Sequence, residues 1–216
     1  MIITIGGQKG GTGKTTIATE LVVHLSSKGH NVLLIDADDQ GTATDFSDSR
    51  AESLGETGYT TIQLREKTLS TEVPKFSGIY DYIVIDAGGF DSISQRYAIS
   101  LSDKYLVVLK PESFALWTTD QVEEMISLSA TGNPNLKCYS CLNMGWPSGQ
   151  DNEDSATLLQ ESSIIEFLPS VVVRRKAFTD AGGSGLSVHE RKPKDGKAQQ
   201  EIVNLIESLL EGSHGN

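Results

Sequence analysis

A glycine-rich loop set between an apolar run and a helical pattern constrains this chain more than any other feature. Ile2 to Ile5 reads as a strand, and Ile17 to Leu25 carries apolar residues at helical spacing. Gln8-Lys9-Gly10-Gly11-Thr12-Gly13-Lys14-Thr15-Thr16 joins them. Gly10, Gly11 and Gly13 let the backbone curl so that successive N–H groups converge, which makes a phosphate cradle at a helix N-terminus. Thr12 and Thr16 belong to the same cradle. Lys14 stands where such a loop needs a cation for β- and γ-phosphates, and Thr15 supplies a hydroxyl for Mg²⁺. The general pattern G-x-x-x-x-G-K-[ST] fails at one residue, because Gln8 holds the place of the first glycine, with Lys9 beside it. The bland alternative is a turn with two solvated lysines, and the order of strand, loop and helix argues against it.

Similar apolar runs recur down the chain. Val32–Ile35, Tyr82–Ile85, Tyr105–Leu109, Cys138–Leu142 and Ile164–Leu168 read as strands, several of them apolar on both faces. Thr16–Lys28, Ser92–Leu101, Glu112–Ser129 and Glu153–Gln160 read as helices between them. The expected fold class is therefore α/β, a doubly wound and mostly parallel sheet with helices on both faces. Ligands of such folds gather at the carboxyl ends of strands, where Gly6–Thr15, Asp36–Gln40 and Asp86–Gly89 all fall. Residues 47–80 are broken by Gly55, Gly58, Pro74 and Gly78, and show only a short edge strand at Thr60–Leu64. Ala181–Val188 reads as a mobile glycine-rich loop. Lys197–Leu210 reads as an amphipathic helix with Ile202, Leu205, Ile206 and Leu209 on one face. With no repeat or linker, residues 1–216 are expected to form one domain.

Composition narrows the setting. A hydrophobic share of 38% and a charged share of 22% are ordinary for a soluble protein. No run reaches the ~18 apolar residues of a membrane helix, and Met1 leads directly into a strand without an export signal, so a cytoplasmic protein is expected. Cys138 and Cys141 lie three apart in an extended run, on opposite faces of a sheet, and two thiols fall short of a zinc site's ~4 ligands. The net charge is −11, but it is unevenly spread. Residues 171–197 hold seven Lys and Arg against three acids, or +4, while the rest holds eleven against 26, or −15.

Two further strands end in carboxylates. Val32 to Ile35 leads into Asp36-Ala37-Asp38-Asp39-Gln40, and Tyr82 to Ile85 leads into Asp86 followed by Ala87-Gly88-Gly89. Acids placed there, opposite a phosphate loop, can orient a metal's water and an attacking water. The two glycines permit a loop that responds to a terminal phosphate.

The K-G-G-x-G-K-T-T loop, the D-x-D-x-Q segment and the strand ending in Asp86 occur in the order of the deviant Walker A ATPases, and the chain resembles the ParA/MinD family along nearly its whole length. It is most similar to the short, ParF-like plasmid-partition ParA proteins that lack an N-terminal operator-binding extension. The resemblance implies ATP and Mg²⁺ as cofactors and a homodimer with ATP sandwiched between subunits. By position, Lys9 would reach the partner's nucleotide, Lys14 would bind phosphate, and Asp38 would position the lytic water. Thr15, Asp36 and Asp86 would surround the metal, and Asn143 would hydrogen-bond adenine. Asp39 stands where the family's D-x-D-P-Q pattern has proline. Pro111 to Phe114 is similar to a family P-x-x-[FY] turn with a role that is structural or at the dimer interface. Arg174, Arg175 and Lys176, backed by Lys192 and Lys194, match the region that binds DNA without sequence preference. A ParB-like centromere-binding or cargo-adaptor protein would stimulate hydrolysis and release the dimer from the nucleoid. The nearest rival is an orphan ParA-like ATPase that positions a protein cargo. A MinD-like membrane cycle fits poorly, since Glu201–Asn216 contains no Lys or Arg. An iron–sulfur reductase would need cysteines in strand-end loops. A degenerate protein that binds nucleotide without hydrolysing it would follow if Asp39 disabled the site.

Overall fold

Buried strands and the helices that cover them dictate the architecture. A computed structural model describes residues 1–7, 9–89, 91–111 and 115–212, without the side chains of 115–119. Gln8, the start of the expected helix Glu112–Ser129, and residues 112–114 of the Pro111 to Phe114 turn lie outside the described residues. The strands are β1 (Ile2–Gly6), β2 (Val32–Asp36), β3 (Thr60–Gln63), β4 (Tyr82–Asp86), β5 (Lys104–Leu109), β6 (Lys137–Gly145) and β7 (Glu166–Val173). They pair side by side in the order β3-β2-β4-β1-β5-β6-β7, and every pairing is parallel. The helices are α1 (Lys14–Ser27), α2 (Thr42–Leu54), α3 (Lys67–Phe76), α4 (Ile93–Leu101), α5 (Ala115–Ser129), α6 (Asp151–Leu159), α7 (Lys176–Gly182) and α8 (Gly196–Glu211).

Alternation along each strand divides the core in two. Ile3, Ile5, Val32, Leu34, Val84, Leu106, Val108 and Cys141 pack with α1, α2, α7 and α8 on one face. Leu33, Ile35, Ile83 and Ile85 pack with α3 and α4 on the other, continued by Tyr105, Val107 and Cys138 against α4, α5 and α6. The two cysteines thus occupy opposite faces, as the strand period requires. Burial pushes both thiols up to about 12, so they are protonated core residues.

Most strands and helices outside 42–80 follow the sequence pattern, which does not show α7, and the expected amphipathic face of α8 (Ile202, Leu205, Ile206, Leu209) is buried in the core. Three regions differ from expectation. The segment 42–80 contains two helices the pattern does not reveal. The α2 helix buries only Ala43, Phe46, Ser47 and Arg50, so it has almost no apolar stripe. The α3 helix carries Pro74 in its last turn and buries Leu69 and Val73. The last strand runs to Val173 instead of ending at Leu168, since an edge strand tolerates Pro169. Ala181–Val188, expected to be mobile, is pinned by Ser187, Val188 and Gly185 in ways described below.

Candidate nucleotide site

Three loops meet at the carboxyl ends of β1, β2 and β4. The first leaves β1 and enters α1 through Gly13, whose left-handed backbone (φ 88°) turns the loop into the helix. A side chain at Gly13 would strike the Asn143 amide 2.1 Å away, so only glycine lets β6 approach this turn. Lys9, Gly10 and Gly11 form the exposed crest, whereas Thr12 and Lys14 are buried. The Lys14 ammonium donates across the loop to the Lys9 carbonyl at 3.2 Å, which holds the charge inside the cradle.

Asp86 lies behind it, fully buried at the end of β4. Its Oδ2 accepts from the Thr15 hydroxyl at 2.7 Å, while its Oδ1 is buried without a hydrogen bond. Burial raises this carboxyl to about 7 against the lowering effect of the Thr15 bond, and the neighbouring Asp36 charge pushes the same way. A hydroxyl beside a carboxylate oxygen with no partner is a hard oxygen donor set that suits Mg²⁺ and its waters. Among the described residues no cluster of three or more His, Cys, Asp or Glu has the geometry to cage a metal. An ion here would draw its remaining ligands from phosphate and water, as is usual for Mg²⁺.

The D-x-D-x-Q loop is built on Asp36. Its Oδ1 accepts from the Asp38 amide, and its Oδ2 accepts from both the amide and the hydroxyl of Thr44 at 2.8 Å. Asp36 therefore braces this loop against the start of α2. Asp38 is half-buried, with its Oδ1 accepting from the Gln40 amide at 3.0 Å. Gly88 presses against it: a Cβ there would lie 2.8 Å from the Asp38 Cγ, so the loops after β2 and β4 touch through a glycine.

The other expected residues divide. Asn143 lies inside β6 and donates its amide to the Thr12 carbonyl at 2.7 Å, so that N–H supports the phosphate loop from below. Thr16 sits in the first turn of α1, partly exposed. Arg174 and Lys176 are exposed near the start of α7. Arg175 is not: it forms a two-pronged ion pair with Glu201 of α8, both side chains about one-fifth exposed. It fastens β7 to α8, because a guanidinium so close to a carboxylate pairs with it rather than facing solvent.

Sequence reasoning missed the braces. Gln95 of α4, fully buried, donates to the Tyr105 hydroxyl at 2.7 Å and to the Gly7 carbonyl, linking the helix after Gly89 to the root of the phosphate loop. Glu20 of α1 accepts from the Ser187 hydroxyl at 2.6 Å and the Val188 amide at 2.9 Å. Arg50 of α2 grips Glu190 with both prongs and donates to the Gly185 and Thr57 carbonyls. No motif marks these residues, since their partners lie far off in sequence. The one local hint is an Arg among the small residues of α2.

Comparisons with known proteins agree with this geometry. A family model described as the CobQ/CobB/MinD/ParA nucleotide binding domain matches residues 3–210. The chain is 26% identical over 212 residues to the Maintenance of carboxysome distribution protein A of Halothiobacillus neapolitanus, covering 96% of this chain and 95% of that one. It is 28% identical over 179 residues to the Chromosome partitioning protein ParA of Myxococcus xanthus, covering 65% and 63%. Its fold matches a putative plasmid partition protein of Borrelia burgdorferi bound to AMPPNP with a TM-score of 0.77 and 20% identity, over 97% and 98% of the two chains.

Proposed function

Because this chain belongs to the CobQ/CobB/MinD/ParA family of nucleotide-binding domains, we propose that it is a single-domain Mg²⁺-ATPase of the ParA type. It works as a homodimeric switch that partitions DNA. The observation that carries this reading is the convergence of Lys14, the Thr15–Asp86 pair and the Asp38–Gly88 contact on one end of the sheet. Backbone amides of 10–16 and Lys14 would bind the phosphates, and Thr15 and Asp86 would hold Mg²⁺. The ion would neutralise charge that develops on the transferring phosphoryl group. Asp38 would orient the attacking water. Lys9, on the exposed crest, would reach a facing subunit and supply positive charge in trans, as an arginine finger does.

Arg174, Lys176, Lys192 and Lys194 are exposed and stand within the +4 segment of an otherwise acidic chain, which supports DNA binding by that face. So few cations neutralise few phosphates, so binding should be weak per subunit, steeply salt-dependent, and strengthened by dimerisation. A ParB-like or cargo-adaptor partner would trigger hydrolysis and release. The protein would be cytoplasmic and would associate with the nucleoid when ATP-bound. Among the described residues no helix is long and apolar enough to cross a membrane, and the apolar face of α8 is buried in the core.

The test is fluorescence anisotropy of a random-sequence duplex in Mg²⁺-ATP, Mg²⁺-ADP and no nucleotide, at two salt concentrations. We expect binding with ATP alone, lost in Lys9→Ala and in Arg174→Ala/Lys176→Ala. Absence of binding in every state, with hydrolysis intact, would refute the DNA-riding mechanism.

A second reading keeps the enzyme and changes the cargo to a protein assembly. The near full-length match to a carboxysome distribution protein favours it. The adaptor decides between them: the partner that accelerates phosphate release binds either a centromere site or a protein assembly.

A further inference from the structure

We propose that Arg65 is a positioning residue for ATP hydrolysis, a strut from the end of β3 that holds the loop carrying Asp38. This rests on the reading that Asp38 orients the lytic water. Asp36 holds the Asp38 amide on one side and Thr44 on the other, and the limb between them, which starts at the Asp38 carbonyl, carries an Asp39 side chain that is 87% exposed. Arg65 reaches this limb from outside. Its Nη2 donates to the Asp38 carbonyl at 2.9 Å, and its Nε stands 3.5 Å from Asp39 Oδ1. That Nε is buried and makes no hydrogen bond, so a small inward movement of Asp39 would close the second arm of the clip.

A strut works only if its base is fixed, and this one is. The Leu64 amide donates to the Asp36 carbonyl, and the Arg65 amide donates to the Thr68 hydroxyl at 3.0 Å. The Glu66 amide donates to the Ser94 hydroxyl of α4 at 2.9 Å. Glu66 adopts φ 49°, ψ −132°, a conformation unfavourable for any residue with a side chain and kept only where neighbours enforce it. The turn 64–66 is therefore tied on one side to β2 and on the other to α4, the helix that follows Gly89. Asp38 meets Gly88 directly and meets α4 through Arg65, so both loops that must register on a terminal phosphate refer to one support.

Asp39 gives the clip its second acceptor at a position where proline would stiffen the limb from within by fixing φ. The two devices should be interchangeable, which makes the proposal testable by rescue. Phosphate release and fluorescent-ATP affinity would be measured for wild type, Arg65→Ala, Arg65→Lys, Asp39→Pro, Arg65→Ala/Asp39→Pro and, as reference, Asp38→Ala. A lytic carboxylate displaced by about 1 Å can lose up to ~100-fold in rate, so we expect Arg65→Ala to lower kcat about tenfold. KM, ATP affinity and melting temperature should stay close to wild type. Arg65→Lys should recover part of the rate, since an ammonium still reaches one carbonyl, and Asp39→Pro should recover most of it in the Arg65→Ala background. An Arg65→Ala enzyme within twofold of wild type, alongside an inactive Asp38→Ala, would overturn the proposal and leave the Asp38 reading standing. A rate loss that tracks ATP affinity, or one that Asp39→Pro does not repair, would make Arg65 a folding or binding residue. Retained hydrolysis in Asp38→Ala would remove the premise itself.

Discussion

Two loops flank the helices that leave the nucleotide site, and they are held in opposite ways. Residues 37–41 are secured by backbone bonds to Asp36 and by a partly exposed clip from Arg65. Residues 183–190 are fastened by ionisable groups taken out of water: Glu20 beneath Ser187 and Val188, and Arg50 locked to Glu190. The glycines differ in the same sense. Gly88 lets the loop after β4 lie against Asp38, whereas Gly185 (φ 66°) lets the other press onto the backbone of α2, where a Cβ would come within 2.2 Å of the Arg50 nitrogen. Exposed ion pairs contribute little and break easily, but a buried charge deprived of its partner is costly. The first arrangement suits a segment that can shift at little cost. The second suits one that must carry the basic residues of 191–197 as a rigid extension of α1 and α2.

The contrast fails if the second loop proves as replaceable as the first. Glu190→Ala leaves Arg50, whose side chain is 8% exposed, without its carboxylate. It should cost about 3 kcal/mol of unfolding free energy, read by denaturant titration. A loss below ~1 kcal/mol would place this pair with ordinary surface pairs. Gly185→Ala should cost about 2 kcal/mol from the forced contact and the left-handed backbone together, measured in the same way.

Glu20 gives the rivet a pH signature. Burial raises its carboxyl from the usual 4.5 to about 7, against the two hydrogen bonds and Arg50 that lower it and with the Glu190 charge that raises it. The folded state therefore binds this proton more tightly than the unfolded state. Its stabilising contribution is complete below about 4.5 and is lost as pH rises through about 7. Glu20→Gln should flatten the fall in stability between those values, in melts run across pH; the slope that remains belongs to other groups, Asp86 among them. The smallest effect is expected at the first loop. Asp39→Ala removes an acceptor 3.5 Å from Arg65 on a side chain that is 87% exposed, and should change unfolding free energy by less than ~0.5 kcal/mol.

The parallel α/β architecture and the loops at strand ends that carry Lys14, Thr15, Asp38 and Asp86 are legible in the chain alone. Those signals are local: apolar runs of strand length, a glycine spacing and acids at the ends of buried strands are each written in a few consecutive residues. Tertiary structure alone decided what the polar residues do with one another. Arg175 reads as one of three adjacent cations until Glu201 is brought beside it. Asn143 reads as a strand end until the Thr12 carbonyl is found 2.7 Å away. The α2 helix hides because its buried surface is an arginine and small side chains rather than an apolar stripe. Ala181–Val188 reads as a mobile loop because its partners lie on α1 and α2, more than 130 residues earlier. Hydrophobic burial is averaged over many residues and leaves a periodic trace in the chain, whereas a hydrogen bond or ion pair depends on one distant partner and leaves none.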